Sequence, residues 1–181
     1  MERIIRTEPD LILRKRAREV EPAAISSPEI RRAIRDLKDT LKKSDDGIGI
    51  AAPQIGILRR IFIISEEAKY VESEPRESRG KKRWNSYVYI NPVALKHSKN
   101  RVDGVEGCLS VPGKFGIVAR SEKITVKALD ERGNQFTLGA SKFLARVIQH
   151  ELDHLDGVLF IDKVKRFIDV TKNTKKDEER L

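Results

Sequence analysis

The sequence predicts a single-domain α+β fold, with antiparallel and mixed strands packed around one central helix. Strand-like runs at residues 60–64 and 87–90, rich in β-branched and aromatic residues, precede the main helical segment instead of alternating with helices. Residues 124–129 and 135–138 flank the turn Asp130-Glu131-Arg132-Gly133-Asn134, which reads as a hairpin. A helical stretch then begins after Ser141, with Phe143, Leu144, Val147, Ile148, Leu152 and Leu155 on one face.

The remaining elements follow in order. Ser26-Ser27-Pro28-Glu29 is a helix start, combining a hydroxyl cap, an early proline and an acid in the first turn. Ile30, Ile34, Leu37 and Leu41 then recur at helical spacing as far as Lys43, and Asp45-Asp46-Gly47 ends the helix. Residues 66–85 are polar and charged, a surface excursion between two strands. Ser141 is placed to cap the second helix and Gly157 to stop it. Residues 1–165 are expected to form the working domain, and residues 166–181 a charged tail or helix.

Composition narrows the function classes. The 181 residues carry a formal net charge of +9, with 39% hydrophobic and 36% charged residues. No apolar run approaches the roughly 18 residues a membrane span needs, so no membrane partner is expected. Residues 1–6 lack the apolar run of a secretory leader, and a cytoplasmic location is the expectation. The basic residues are interleaved with acids and accompanied by few aromatics, which gives no support to sequence-specific DNA binding. There are one cysteine, Cys108, and three histidines, His97, His150 and His154, so a metal site with soft or imidazole ligands must draw on four residues.

The strongest chemical signal is His150-Glu151-Leu152-Asp153-His154. Positions four apart share a helix face, so both imidazoles can grip one ion, making this the central metal-binding helix of the fold. Glu151 then reaches a water beside the ion without filling its coordination sphere. Catalytic sites of this type use three protein ligands and keep one position open. The metzincin pattern requires histidine where Phe160 stands, and a zinc endopeptidase with a downstream glutamate would depend on Glu178 or Glu179 in the charged tail. A free cysteine is commonly just a small buried hydrophobe. Here the incomplete histidine pair needs a soft third ligand, and Cys108 lies in the glycine-rich stretch Glu106-Gly107-Cys108-Leu109-Ser110. A third cluster, Gly47-Ile48-Gly49-Ile50-Ala51-Ala52-Pro53-Gln54, lacks the lysine and hydroxyl of a phosphate loop, and Gln54 offers an amide donor.

In their order and spacing, these three clusters resemble the signature motifs of the peptide deformylases, over residues 4–162. The resemblance implies a hydrolase that removes the N-formyl group from the N-terminal methionine of newly synthesised polypeptides and releases formate. It implies one divalent metal ion per chain held by Cys108, His150 and His154, Fe2+ in the cell, with Zn2+, Ni2+ or Co2+ also suited to such ligands. Glu151 would be the acid/base, and the Gln54 side chain with the Leu109 backbone N–H the donors to the formyl oxygen. Ile48, Gly49 and Val147 would line the methionine pocket, beside a strand along which the peptide lies extended. Family members can also dock on the ribosome through a C-terminal segment, here the lysine-rich tail, which makes weak ribosome association an expectation. The zinc endopeptidase is the competing reading. The charged segment between Ile64 and Tyr87 and the basic tail depart from the family pattern.

Overall fold

In the run Ile61–Ser65 (β2), every residue is buried, so both faces of the strand must meet apolar partners. Successive side chains point to opposite faces. Ile61 and Ile63 pack with Ile30, Ile34, Leu37 and Leu41 of the helix Pro28–Lys43 (α1). Phe62 and Ile64 pack with Val147, Ile148, Leu152 and Leu155 of the helix Lys142–Leu155 (α2). The two helices therefore cover opposite faces of one sheet. The computed structural model describes residues 1–44, 47–71 and 84–169.

That sheet has five strands in the order β1 (Gly49–Ala51), β2, β3 (Ser86–His97), β6 (Lys123–Leu129) and β7 (Gln135–Ser141), with every pair antiparallel. A second sheet holds β4 (Arg101–Cys108), β5 (Val111–Ser121) and β8 (Val164–Ile168), also antiparallel. A small cluster of Leu13, Val111, Val118, Leu159 and Phe160 joins the second sheet to the N-terminal segment and to the segment after α2. Among the described residues, no helix is long and apolar enough to cross a membrane.

The expected α+β architecture is the one observed, with α1 starting at Pro28 and capped by the Ser27 hydroxyl, which accepts from the Ile30 N–H at 3.3 Å. Other expectations need correction. Ser141 occupies the cap position of α2, but its side chain makes no capping hydrogen bond. Its backbone belongs to β7, paired with Lys123, so strand pairing fixes the entry to the helix. The glycine-rich stretch around Cys108 is strand in its first half: β4 runs through Glu106 and Gly107 to end at Cys108, and Leu109-Ser110 turn into β5. Gly107 faces the Phe115 ring, where a Cβ would come within 2.6 Å, so glycine here accommodates an aromatic on the paired strand. Gly157 does stop α2, at φ +76°, and a Cβ there would press within 2.6 Å of the Arg14 carbonyl.

The expected tail boundary at residue 166 falls inside a strand. Arg166, Phe167 and Ile168 belong to β8 and pair with β5, where Gly116 leaves room for Val164. Within residues 66–85, Glu66–Lys69 forms one 3-10 turn, capped by the Ser65 hydroxyl. Residues 72–83, the Asp45-Asp46 helix stop and residues 170–181 of the tail lie outside the described residues.

Candidate metal centre

Cys108 comes from the three-stranded sheet and the two histidines from the helix α2. Cys108 ends β4, at the tight turn Leu109-Ser110 into β5, while His150 and His154 sit one turn apart on α2. One ligand atom from each lies within 4.8 Å of the others. Cys108 Sγ is 3.2 Å from His154 Nε2. His150 Nδ1 contacts Glu106 Oε2 at 3.0 Å, which leaves its Nε2 for the centre. One sulfur and two imidazole nitrogens this close fit a divalent first-row ion with a fourth position left open.

Glu151 lies beside this triad, with its Oε2 buried and without a hydrogen-bond partner among the described residues. It reaches the site because Gly49 has no side chain: a Cβ there would come within 2.4 Å of Glu151 Oε1. Burial pushes the Glu151 carboxyl up to about 7, the nearby Glu106 charge adds to this, and the His150 charge opposes it. For His154, burial and then the charges of His150 and Arg120 hold the imidazole well below its ordinary range. Burial also works against protonation of His150, but hydrogen bonds with Cys108 and Glu106 outweigh it and push the ring up to about 10.

Gln54 is itself buried and held at both ends of its amide. Its Oε1 accepts from the Ala51 N–H at 2.8 Å, and its Nε2 donates to Ser110 Oγ at 3.0 Å and faces Cys108 Sγ at 3.6 Å. The N-terminal segment braces both neighbours. Arg6 donates its N–H to the Gln54 carbonyl at 2.7 Å, and Glu8 donates to that of Ser110 at 2.9 Å. A cavity of about 390 Å³ opens onto the triad and is lined by Ile48, Gly49, Gln54, Leu109, Val147 and Glu151. The structure thus brings all nine residues singled out by the sequence to one place. Glu178 and Glu179, the alternative third ligands, lie outside the described residues. A larger cavity, about 760 Å³, lies across α2 beside Gln149, Leu152, Asp153 and Asp156, and none of the three ligand residues lines it. Ligand chemistry, not volume, identifies the site.

Sequence reasoning missed the charged groups behind the ligands. Glu106 accepts two hydrogen bonds from Arg120, at 2.8 and 2.9 Å, and one from Arg146 at 2.9 Å, besides its contact with His150. Arg120 also donates to Asp153 at 2.6 Å, and Lys163 donates to the other Asp153 oxygen at 2.6 Å. Burial alone would raise the Glu106 carboxyl; hydrogen bonds from Arg120 and His150 overcome this and hold it far below the usual carboxylate range. Burial would likewise lower Arg120, but Glu106 and Asp153 keep it firmly charged. Glu106 and Asp153 stand inside the recognised motifs and were open to this role. Arg120 stands in β5, where nothing in the sequence marks it.

A metal-ligating histidine depends on the group that accepts its second ring N–H, and losing that partner typically costs about 10–100-fold in metal affinity. Glu106→Gln is therefore expected to weaken Zn2+ binding by about that factor, measured by competition with a chromophoric chelator. Unchanged affinity would show that Glu106 does not orient His150.

The sequence model described as polypeptide deformylase matches residues 2–169. The chain is 43% identical to a peptide deformylase of Thermomicrobium roseum, over 90% of this chain and 86% of that one. It is also 43% identical to peptide deformylase 1 of Clostridium perfringens, over 88% and 96%. A crystal structure of a class I type b peptide deformylase from Acinetobacter baumannii superposes with a TM-score of 0.78 at 32% identity, over 91% of this chain and 99% of that one. With a match over nearly all the described residues and relatives of this identity, the chain belongs to the polypeptide deformylase family.

Proposed function

We infer that this protein is a metal-dependent hydrolase that removes the N-formyl group from the N-terminal methionine of newly synthesised polypeptides. The observation that carries this is the convergence of Cys108, His150 and His154 beside the buried Glu151 Oε2, unpartnered among the described residues, in a chain of the deformylase family. Family membership gives the metal dependence, and we assign the ligand set to these three residues. In the cell we assign Fe2+, with Zn2+, Ni2+ and Co2+ able to take its place in a one-sulfur, two-imidazole site.

When bound, the ion supplies Lewis acidity that brings the pKa of a water toward neutrality. The protein's own groups do the rest. Glu151 accepts the proton of that water at Oε2 and returns it to the departing peptide nitrogen, so that one water and one formyl amide give formate and a free amine. The Gln54 Nε2 and the Leu109 backbone N–H are assigned to the formyl oxygen, where negative charge develops; losing one such donor typically costs about 10²–10³ in rate. Ser110 and Ala51 keep the Gln54 amide oriented. Ile48, Gly49 and Val147 border the cavity in which the methionine side chain is placed.

We do not favour the zinc endopeptidase reading, because Cys108 stands beside the two histidines, where that reading would need a glutamate of the tail. We further assign the protein to the cytoplasm, where nascent chains carry the formyl group. We treat residues 1–165 with the rest of β8 as the catalytic unit, and the lysine-rich remainder as a weak ribosome-docking tail. Asp177, Glu178 and Glu179 offset part of the charge of Lys172, Lys175 and Lys176 there.

Two experiments test these assignments. Glu151→Gln should retain its metal yet lose nearly all formate release from a formyl-Met peptide, because an amide cannot accept the proton. A metal-loaded variant with wild-type turnover would remove Glu151 from the mechanism. Deleting residues 170–181, which spares β8, should leave peptide turnover intact and reduce co-sedimentation with ribosomes at low salt, where phosphate contacts are strongest. Undiminished co-sedimentation would reduce the tail to a solubility feature.

A further inference from the structure

Three residues, Val105, Phe143 and Arg146, line both the cavity at the metal centre and a separate recess of about 300 Å³ beside it. Arg146 lies one helical turn before His150 and only 12% of its side chain is exposed. Its guanidinium is pinned by four oxygens. Nη1 donates to Glu106 Oε1 at 2.9 Å, to the Val118 carbonyl at 2.8 Å and to the Gly104 carbonyl at 3.3 Å; Nη2 donates to the Val102 carbonyl at 2.8 Å. Gly104 makes this seat available. A Cβ there would stand 2.6 Å from Nη2 and 2.7 Å from Cζ, so any side chain at 104 would displace the guanidinium.

We propose that Arg146, seated over Gly104, is the end wall of the pocket that takes the side chain of the formylated residue, and so sets the longest side chain the enzyme accepts. This rests on the deformylase reading of the same site. The flanks of the pocket, Val105, Phe143 and Val147, are apolar and suit an unbranched chain of methionine length. At its end the chain meets a buried cation. Pushing that cation aside would break its hydrogen bonds to three backbone carbonyls and to Glu106, so a longer side chain is refused. Without the guanidinium, the pocket runs on into the 300 Å³ recess.

The test is formate release from a series of formyl peptides whose first side chain is methionine, norleucine, 2-aminooctanoate or 2-aminodecanoate. For the wild type, kcat/KM should fall sharply beyond norleucine. Arg146→Ala lowers turnover on every substrate by unbalancing Glu106, an effect that the ratio of long to short substrate cancels. That ratio should rise at least about tenfold, mainly through KM, in line with what one or two methylenes are worth in an apolar pocket. Arg146→Met loses the same charge and hydrogen bonds but keeps the bulk, so its ratio should stay near wild type. Gly104→Val combined with Arg146→Ala refills the wall from the facing strand and should bring the ratio back down. If Arg146→Ala does not fold, Arg146→Asn, still far shorter than arginine but polar toward the same oxygens, carries the same expectation. The proposal is overturned if the shortened variant loses the same factor on every chain length, or if Arg146→Met raises the ratio as much as the shortened variant does. A wild type that releases no formate from the formyl-Met peptide would instead overturn the functional reading itself.

Discussion

One buried carboxylate holds the two halves of this molecule in register at the point where chemistry is done. Glu106 leaves β4 two residues before Cys108 and meets Arg120 of the paired strand, Arg146 of the helix and the ring of His150 on the same helix. The sulfur resides on a strand of the small sheet and both imidazoles on one helix, so their convergence depends on how that sheet seats against α2. A buried ion pair is weak evidence for net stability, because desolvation consumes much of the attraction. Its value here is geometric. Breaking one partner of such a pair leaves an uncompensated buried charge, at a cost of about 3–5 kcal/mol, so slipped seatings of hairpin on helix are disfavoured. Asp153 and Lys163 extend the same logic across α2, and Gln149 adds paired hydrogen bonds with the Ser121 backbone.

The surroundings of the site are shaped by missing atoms as much as by present ones. Gly49 admits the Glu151 carboxylate and Gly104 admits the Arg146 guanidinium. Each glycine lets a charged side chain lie directly against backbone, where water is excluded and its electrostatic influence is strongest. The N-terminal segment completes the enclosure by hydrogen bonding the Gln54 and Ser110 carbonyls.

Much of this was legible in the sequence, and the legible parts share a physical character. The two histidines and Glu151 follow from helical periodicity, a local property. Cys108 followed from ligand arithmetic in a chain with one cysteine and three histidines. The helix α1 and the β6–β7 hairpin were marked by caps and turn residues. What escaped depends on contacts distant in sequence. Strands β4 and β5 were not singled out because Gly104, Gly107 and Gly116 dilute the strand pattern; each makes room for Arg146, Phe115 or Val164, groups that are adjacent only after folding. Arg120 was one of many basic residues until β5 placed it against Glu106 and Asp153. The start of the tail was misjudged because Val164, Phe167 and Ile168 lie among charges, and their pairing partner is some fifty residues upstream.

The central claim is that this network brings one sulfur and two imidazole nitrogens onto a single ion. X-ray absorption at the metal K-edge of the Zn2+- or Co2+-loaded protein measures that directly. The account predicts one sulfur and two imidazole nitrogens from the protein, completed by a light atom from solvent. A first coordination sphere without sulfur, or one containing a carboxylate of the chain, would contradict it.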